Sequence, residues 1–209
     1  MLRYLVIPLI GYCLGSLPTA YLAVRWKLHQ DIRLLGSGNV GALNCFLVTG
    51  SKILGLIVLF VDVAKGVVAL LIVRSLFGGE FWDAVICSLA AVGGHNYSAW
   101  IGFRGGRGLA TSTGAFLLLG WPLLILWAVL WLISFWRTRD ILLGNGWATL
   151  LTPILLIVAP GSVVHAVFPE SAQAADLVLF VAMMSSLVLA RHVRPVVEIL
   201  RERRRVQAS

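Results

Sequence analysis

Two glycine-rich segments of the chain carry the residue types best suited to binding an anion. The first reads GSGNVGALN over residues 36–44, and the second reads GGHNYSAWIGFRGGRGLATSTG over residues 93–114. Closely spaced glycines let the backbone adopt positive φ angles and approach a ligand, and successive N–H groups can form a concave nest for an anion. A phosphate group fits this chemistry.

The first segment combines an approachable backbone with side-chain donors. The backbone positions are Gly36, Gly38 and Gly41, and the side chains are those of Ser37, Asn39 and Asn44. It matches neither the Walker pattern, which needs Lys-Ser/Thr after the last glycine, nor the dinucleotide fingerprint, which needs a preceding strand. The alternative interpretation is a simple turn between two helices, since glycine and asparagine are common turn formers.

The second segment repeats this chemistry with fixed cations. It contains Arg104 and Arg107 among Gly105, Gly106 and Gly108, followed by Thr111, Ser112 and Thr113 at an expected helix start. Arginines and a helix N-terminus both favour a phosphate. A basic turn that only sets membrane orientation is the alternative. Just before the arginines, His95 is a candidate for proton exchange near neutral pH, with a hydrogen-bonded structural histidine as its alternative.

These segments must be positioned by membrane-spanning helices. Of the 209 residues, 59% are hydrophobic and only 12% are charged, which is typical of an integral membrane protein. We expect an all-α polytopic transmembrane bundle forming one domain over residues 1–209, with residues 191–209 as a basic tail. Seven spans are predicted: Leu2–Val24, Ile53–Phe77, Ala84–Ile101, Ala110–Gly120, Pro122–Trp136, Trp147–Phe168 and Leu177–Ala190. The fourth and fifth are short and meet at Gly120-Trp121-Pro122 as two tilted helices or one hydrophobic hairpin. The first is a retained helix, because it lacks a small-x-small cleavage site.

The basic residues predict the orientation, because they prefer the cytoplasmic side. One set of loops carries Arg25, Lys27, Arg33, Lys52, Arg104, Arg107, Arg137, Arg139, Arg191, Arg194, Arg201, Arg203, Arg204 and Arg205. The other carries Arg3, Arg74, Glu80, Asp83, Glu170 and Asp176. The amino terminus is therefore expected outside and the carboxyl terminus in the cytoplasm, as an odd number of spans requires. Membrane orientation and anionic headgroups account for the charge of Arg201–Arg205, so no nucleic-acid partner is expected.

One charged pair is expected inside the second span. Asp62 and Lys65 are separated by i, i+3 on one helical face, so they can neutralise each other and line a polar interior. Cys13, Cys45 and Cys87 show no paired spacing, which indicates free thiols with packing roles and neither a disulfide framework nor a metal site. No cofactor is implied.

Two soluble enzyme templates do not fit the chain. The His-x4-Asp arrangement of acyl-CoA acyltransferases is approached only by His165 and Glu170, both expected on the opposite side of the membrane. The G-x-S-x-G elbow of serine hydrolases does not occur.

The motifs GSGNVGALN, FVDVAKG and GGHNYSAWIGFRGGRGLAT together resemble the bacterial acyl-phosphate:glycerol-3-phosphate acyltransferase family, over roughly residues 11–114. The resemblance implies an inner-membrane enzyme of phospholipid biosynthesis, with its active site facing the cytoplasm. Its reaction would transfer a fatty acyl group from acyl phosphate to glycerol 3-phosphate, giving lysophosphatidic acid and inorganic phosphate.

The resemblance also implies roles for the residues named above. The backbone of Ser37–Gly41 would cradle the donor phosphate with support from Asn39 and Asn44, and Arg104 and Arg107 would neutralise it. His95 would assist alignment or proton transfer, while Arg191 and His192 would add to phosphate binding. The acyl chain would lie in a groove open to the bilayer.

Several positions depart from the family's pattern. A basic residue is usual where this chain has Leu47, two lysines are usual where it has Arg104 and Arg107, and an asparagine is usual where it has Pro195. The serine-bearing loop expected after the fifth span reads RTRDILLGNG here. The alternatives are therefore an enzyme with a changed acceptor, a non-catalytic partner subunit and a transporter on the same scaffold. The sequence leaves the oligomeric state open.

Overall fold

The computed structural model describes residues 2–167 and 173–208. These residues form eleven α-helices and no strand, so the predicted all-α class is confirmed. The helices are α1 (Arg3–Gly15), α2 (Thr19–Leu28), α3 (Ala42–Thr49), α4 (Lys52–Phe77), α5 (Phe81–Asn96), α6 (Leu109–Leu119), α7 (Trp121–Thr138), α8 (Ile141–Val158), α9 (Gly161–Val167), α10 (Ala174–Leu189) and α11 (Val193–Ala208). The chain divides into two compact units, one ending at Leu119 and the other starting at Gly120.

The first predicted span is interrupted, which corrects the prediction of one helix over Leu2–Val24. Helix α1 ends at Gly15 and α2 begins at Thr19. The cause is Pro18, because proline has no N–H to donate within a helix and disfavours helical geometry at the residue before it. The break brings polar backbone into the interior of the first unit.

Helices α1 and α5 run parallel and pack closely through glycines. Arg3 at the start of α1 pairs with Asp83 at the start of α5, and Tyr12 Oη donates to the carbonyl of Tyr97, 2.7 Å away, beyond the far end of α5. A Cβ atom on Gly11, on Gly15 or on Gly94 would overlap with backbone of the facing helix. Small residues at this spacing let two membrane helices approach at backbone distance.

Helix α4 is continuous, in agreement with the predicted span Ile53–Phe77. Its partner α6 touches it through Gly66 and Gly114, where a Cβ on either residue would overlap with a backbone carbonyl of the other helix. Helix α6 has 11 residues, so at about 1.5 Å per residue it is too short to cross a bilayer alone.

Two further boundaries in the first unit differ from prediction. The predicted span Ala84–Ile101 begins earlier, at Phe81, and ends at Asn96, after which Ala99–Ile101 form a short 3₁₀ turn. Residues 42–49 form α3, a helix that the sequence interpretation treated as part of a polar loop.

The second unit begins with helices α7 and α8, which pack against each other. Helix α7 starts at Trp121, directly after Gly120, with Pro122 in its first turn, where proline is favoured. The fourth and fifth predicted spans are therefore separate helices. Helix α8 starts at Ile141, earlier than the predicted Trp147, because the Asp140 side chain caps it by accepting bonds of 2.8 and 3.0 Å from two backbone N–H groups. It ends at Val158, short of the predicted Phe168, which lies outside the described residues, as does Glu170.

The predicted span Leu177–Ala190 corresponds to α10, and the basic tail is the helix α11. Four helical segments of the described residues are long and apolar enough to cross a membrane: α4, α7, α8, and α1 with α2 taken together as Arg3–Leu28. The number is five if α10 and the start of α11 act as one broken span bent by 55°. The chain is therefore a multi-pass helical membrane protein.

Candidate active site

The two glycine-rich segments lie side by side within the first unit. Arg33, just before the first segment, donates from Nη1 to the carbonyl oxygen of Ile101 in the second segment at 2.7 Å. A Cβ atom on Gly106 would lie 2.6 Å from the carbonyl oxygen of Val40, so the backbones of the two segments touch. Residues about 65 positions apart in sequence thus form one surface.

Arg33 is held in a fixed orientation by three kinds of contact. Its guanidinium donates to both carboxylate oxygens of Asp31, with distances of 2.5 to 3.0 Å, and lies over the ring of Tyr21 at 5.4 Å from the centroid. The hydrogen bonds from Arg33 lower the pKa of Asp31, and the positive charge of Arg104 lowers it further. The pair is therefore ionised throughout the physiological pH range.

Asn44 shapes the first segment from the buried face of α3. Its Nδ2 donates to the carbonyls of Leu35 and Asn39 at 3.1 and 3.0 Å, and its Oδ1 accepts the backbone N–H of Ser37 at 3.0 Å. Both Nδ2 hydrogens are committed to the loop, so Asn44 positions the loop, and its predicted contribution to phosphate binding stays a prediction. A Cβ on Gly36, whose φ is +55°, would overlap with Asn44 Oδ1.

Several donors of the first segment face no protein acceptor. The Ser37 side chain is exposed and that of Asn39 is half-buried. In the described part of the chain, the backbone N–H groups of Asn39, Val40 and Gly41 donate to no protein acceptor. The first N–H groups of α3 follow directly and, as in any helix, have no partner within it. This run of donors suits an anion.

The second segment uses its glycines differently from the prediction. Gly105 and Gly106 donate their N–H groups to the carbonyls of Asn96 and His95, at 3.1 and 2.9 Å. These two N–H groups are therefore occupied by protein acceptors, and the predicted contribution of Gly105 and Gly106 to phosphate binding stays a prediction. Both positions require glycine, because a Cβ on Gly105 would overlap with the His95 carbonyl and one on Gly106 with the imidazole Nε2. Gly108 has a φ of +81°.

The cations of the second segment are accessible. Arg104 is exposed and Arg107 is half-buried. Two of the three hydroxyls that follow are directed to the protein, since Ser112 Oγ and Thr113 Oγ1 both donate to the carbonyl of Leu109 at 2.9 Å. The third, Thr111 Oγ1, is buried and has no hydrogen-bond partner among the described residues. Arg104 and Arg107 therefore stay the predicted anion ligands of this segment.

A buried charged network lies behind the two segments. Lys65 Nζ donates to Asp62 Oδ1 at 2.6 Å and to the carbonyl of Leu17 at the break between α1 and α2. His95 Nδ1 is 3.8 Å from the same Asp62 oxygen. The expected pair of Asp62 and Lys65 is thus present, and it joins α4 to the broken helix and to His95.

A small polar pocket connects this network to the first segment. Its walls come from the helix break, α4, the end of α5 and both segments, and consist of Ser16, Leu17, Pro18, Thr19, Val40, Asp62, Lys65, His95, Ser98, Ile101 and Gly105. Ser98 Oγ donates to the Ser16 carbonyl at 2.5 Å, and Trp100 Nε1 donates to Ser16 Oγ at 3.0 Å. The sequence interpretation missed the residues of the break, although Gly15 and Pro18 inside an apolar run were a usable signal.

Two predicted ligands belong to the second unit. His192 is buried, and its Nδ1 donates to the Val188 carbonyl at 2.9 Å, which closes the turn between α10 and α11. Arg191 beside it is half-buried. Their predicted contribution to phosphate binding stays a prediction. In the described residues no cluster of histidine, cysteine and acidic side chains could hold a metal ion.

Apolar helices, a buried charged network and two touching glycine-rich segments, the second of which carries two arginines, define an integral membrane protein with a polar interior in its first unit. The chain belongs to the glycerol-3-phosphate acyltransferase family, whose model matches residues 5–202. A glycerol-3-phosphate acyltransferase from Synechococcus sp. is 40% identical over 156 residues, 75% of this chain and 76% of the relative. Glycerol-3-phosphate acyltransferase 2 from Moorella thermoacetica is 43% identical over 155 residues, 74% of this chain and 78% of the relative.

A solved structure shares the fold. The crystal structure of PlsY (YgiH), an integral membrane glycerol 3-phosphate acyltransferase in its glycerol 3-phosphate form, matches with a TM-score of 0.79 and 28% identity. The match covers 96% of this chain and 93% of that one. The lysophosphatidic acid form of the same protein matches with a TM-score of 0.76.

Proposed function

We propose that this protein transfers a fatty acyl group from acyl phosphate to the 1-hydroxyl of glycerol 3-phosphate, forming lysophosphatidic acid and inorganic phosphate. The observation that carries the proposal is the contact between the two segments, from Arg33 to Ile101 and from Val40 to Gly106. It places the segment with the open N–H groups against the segment that contains Arg104 and Arg107. Membership of the glycerol-3-phosphate acyltransferase family supports it. So does the likeness to a protein that has been solved in a glycerol 3-phosphate form and a lysophosphatidic acid form.

The reaction asks the protein for alignment and charge stabilisation. An acyl phosphate is already activated, because phosphate is a good leaving group, so no covalent enzyme intermediate is needed. The hydroxyl oxygen of the acceptor attacks the acyl carbonyl carbon, and the bond from that carbon to the phosphate oxygen breaks. Holding the two reactants together in the correct geometry supplies much of the acceleration.

Each part of the site has a task in this mechanism. The N–H groups of residues 39–41 and the Ser37 hydroxyl cradle the donor phosphate. Arg104 and Arg107 neutralise the charge that grows on the phosphate as it leaves. His95, whose Nδ1 faces Asp62, orients the acceptor hydroxyl and takes its proton.

The membrane arrangement is also part of the proposal. We infer seven spans with the amino terminus outside, the carboxyl terminus in the cytoplasm and both glycine-rich segments at the cytoplasmic face, all within one functional domain. The short helix α6 counts as the fourth span, which crosses only together with the residues that flank the helix. The parallel packing of α1 and α5 supports this, because two spans that begin on the same side must run in the same direction. The acyl chain then lies in a groove open to the bilayer.

Product analysis tests the activity. The purified protein is given acyl phosphate with a panel of hydroxyl and amine acceptors, and products are identified by mass spectrometry. We expect lysophosphatidic acid from glycerol 3-phosphate, with sharply lower rates for Ser37→Ala and Arg107→Ala. The exposed Arg25 on α2 gives the matched control Arg25→Ala, which should keep the wild-type rate. Normal rates in both site variants would contradict the assigned site.

A second candidate function is acyl transfer to another acceptor, or a partner role without turnover. It is favoured by Leu47, an apolar side chain 63% exposed on α3, the helix that carries Asn44. Consumption of acyl phosphate only with another acceptor would support a changed substrate. Binding without any product would support the partner role.

A further inference from the structure

Helix α11 presents three distinct faces, each defined by a helical repeat. Val196 and Arg203 lie on the face toward the rest of the second unit. A Cβ on Gly146 of α8 would lie 3.7 Å from Val196, and Arg203 donates to the Thr138 carbonyl at 3.0 Å and lies 3.6 Å from Asp140. This face fixes how α11 sits on α8.

The second face is apolar and exposed. Val193, Val197 and Leu200 follow the i, i+4, i+7 spacing of one helical stripe and are 58%, 37% and 44% exposed. In the described part of the second unit, no neighbouring residue buries these three side chains. Exposed aliphatic side chains in a row indicate contact with something apolar.

The third face is charged and turns away from α8. Arg194, Glu198 and Arg201 repeat the same spacing one residue further round the helix. Arg194 pairs with Glu198 at 3.1 Å, and its side chain is nevertheless 90% exposed. Arg204 is also exposed and falls at the end of the apolar stripe, where its long stem can lie on apolar material while the guanidinium reaches a polar layer. Arginines beside an apolar stripe are typical of helices that lie in a membrane interface.

The position of α11 in the chain places the start of this helix at the membrane boundary. It follows α10 after a short turn, bent by 55° from it. Helix α10 has 16 residues and spans about 24 Å, less than the hydrocarbon thickness of roughly 30 Å, so the first turns of α11 fall at the bilayer boundary. With the usual span tilt of about 20°, the bend carries α11 toward the membrane plane.

We propose that α11 is an interfacial helix that binds anionic lipid headgroups, with Val193, Val197 and Leu200 in the acyl region and Arg194, Arg201 and Arg204 on the phosphates. The three faces then meet three surroundings: protein, hydrocarbon and the headgroup layer. This proposal concerns a lipid-binding surface apart from the reaction, so it stands or falls independently of the acyl-transfer activity.

Hydrogen exchange of the full-length protein tests it. The protein is reconstituted in nanodiscs of phosphatidylcholine alone or with added phosphatidylglycerol, and exchange over residues 193–204 is followed by mass spectrometry. We expect slower exchange with the anionic lipid and a loss of that protection at high salt. Near such a surface each arginine contributes a factor of about five to the binding equilibrium.

Two variants and one control separate the causes. The triple variant Arg194→Gln, Arg201→Gln, Arg204→Gln should lose the response to phosphatidylglycerol, while Arg25→Gln should keep it. The variant Val197→Glu should lose protection in both lipids, because it places a charge in the apolar stripe. Exchange that is equal in the two lipids, or an unchanged response in the triple variant, would overturn the proposal. Protection that depends on protein concentration and not on lipid charge would overturn it too, in favour of a second copy of the chain.

Discussion

Arg33 joins the two glycine-rich segments through a geometry that only a guanidinium can provide. One side chain pairs with both Asp31 oxygens, donates to the Ile101 carbonyl and stacks on Tyr21. A lysine keeps the charge but has a single nitrogen and no planar fork. The contact between the segments therefore depends on arginine itself.

The variant Arg33→Lys should transfer acyl groups about tenfold more slowly, as expected for the loss of charged hydrogen bonds worth roughly 1.5–3 kcal/mol. Circular dichroism should show unchanged helix content, and the control Arg25→Lys should have the wild-type rate. The folded protein lowers the pKa of Asp31 below the usual value for aspartate. The stabilisation from the ion pair is therefore complete above that usual value and is lost only as the pH falls through the lower pKa of the folded protein. The rate ratio of variant to wild type should thus be the same between about pH 6 and 8. A ratio of one would exclude the positioning role.

The buried pair of Asp62 and Lys65 is predicted to tolerate joint replacement better than single replacement. Asp62→Asn or Lys65→Met alone leaves one buried charge without its partner, which destabilises by roughly 3–5 kcal/mol. The double variant removes both charges and should recover most of that stability. Thermal unfolding in detergent measures the three variants. Additive losses in the double variant would show that the two side chains do not stabilise each other.

Some of these residue roles were readable from sequence and others were not. The pairing of Asp62 with Lys65 follows from their i, i+3 spacing on one helix, so it could be predicted. The role of Asn44 could not, because it depends on a turn folding back onto α3. Likewise, nothing in GFRGGRG reveals that Gly105 and Gly106 direct their N–H groups to the end of α5.

At the scale of elements, the packing of α1 on α5 depends on the absence of side chains at the contact. Gly93 and Gly94 are neighbours on α5, yet only Gly94 faces α1. A Cβ on Gly94 would overlap with the Tyr12 carbonyl, whereas one on Gly93 would have nothing within 4 Å. The two residues form a matched pair for measurement.

Gly94→Ala should lower the unfolding temperature of the purified protein, because backbone atoms of α1 would have to move. Gly93→Ala should leave it unchanged or raise it, since alanine is favoured over glycine within helices by about 0.8–1.0 kcal/mol. Differential scanning fluorimetry in detergent compares them. Equal effects of the two substitutions would contradict the close approach of α1 and α5.

The sequence predicted uninterrupted helices better than it predicted their breaks. The long apolar run of α4 was located within one residue, because its start and end are marked by Ser51 and Gly78. The apolar run around Pro18 was predicted as one helix, because hydropathy averages over a short interruption. Helix α3 was missed since its eight residues carry too little periodic signal beside the glycines.

At the scale of the whole molecule, the distribution of basic residues predicts a cytoplasmic carboxyl terminus. Fusions of the full-length chain to green fluorescent protein and to alkaline phosphatase test this. The carboxyl-terminal fusion should be fluorescent and inactive as a phosphatase, because the first reporter folds in the cytoplasm and the second only outside it. An amino-terminal reporter should give the opposite result. Phosphatase activity at the carboxyl terminus would contradict the proposed orientation, and reporters that place both termini on the same side would contradict an odd number of spans.

The central claim is that two distant segments act on one reacting pair. A double-mutant cycle of acyl transfer with Ser37→Ala, Arg107→Ala and both together tests it most directly, with Arg25→Ala as the control. If both residues hold the same donor phosphate, each single variant transfers acyl groups much more slowly than the wild type. The double variant is then only a little slower than the slower of the two single variants. Losses that multiply in the double variant, or wild-type rates in the single ones, would contradict a shared site.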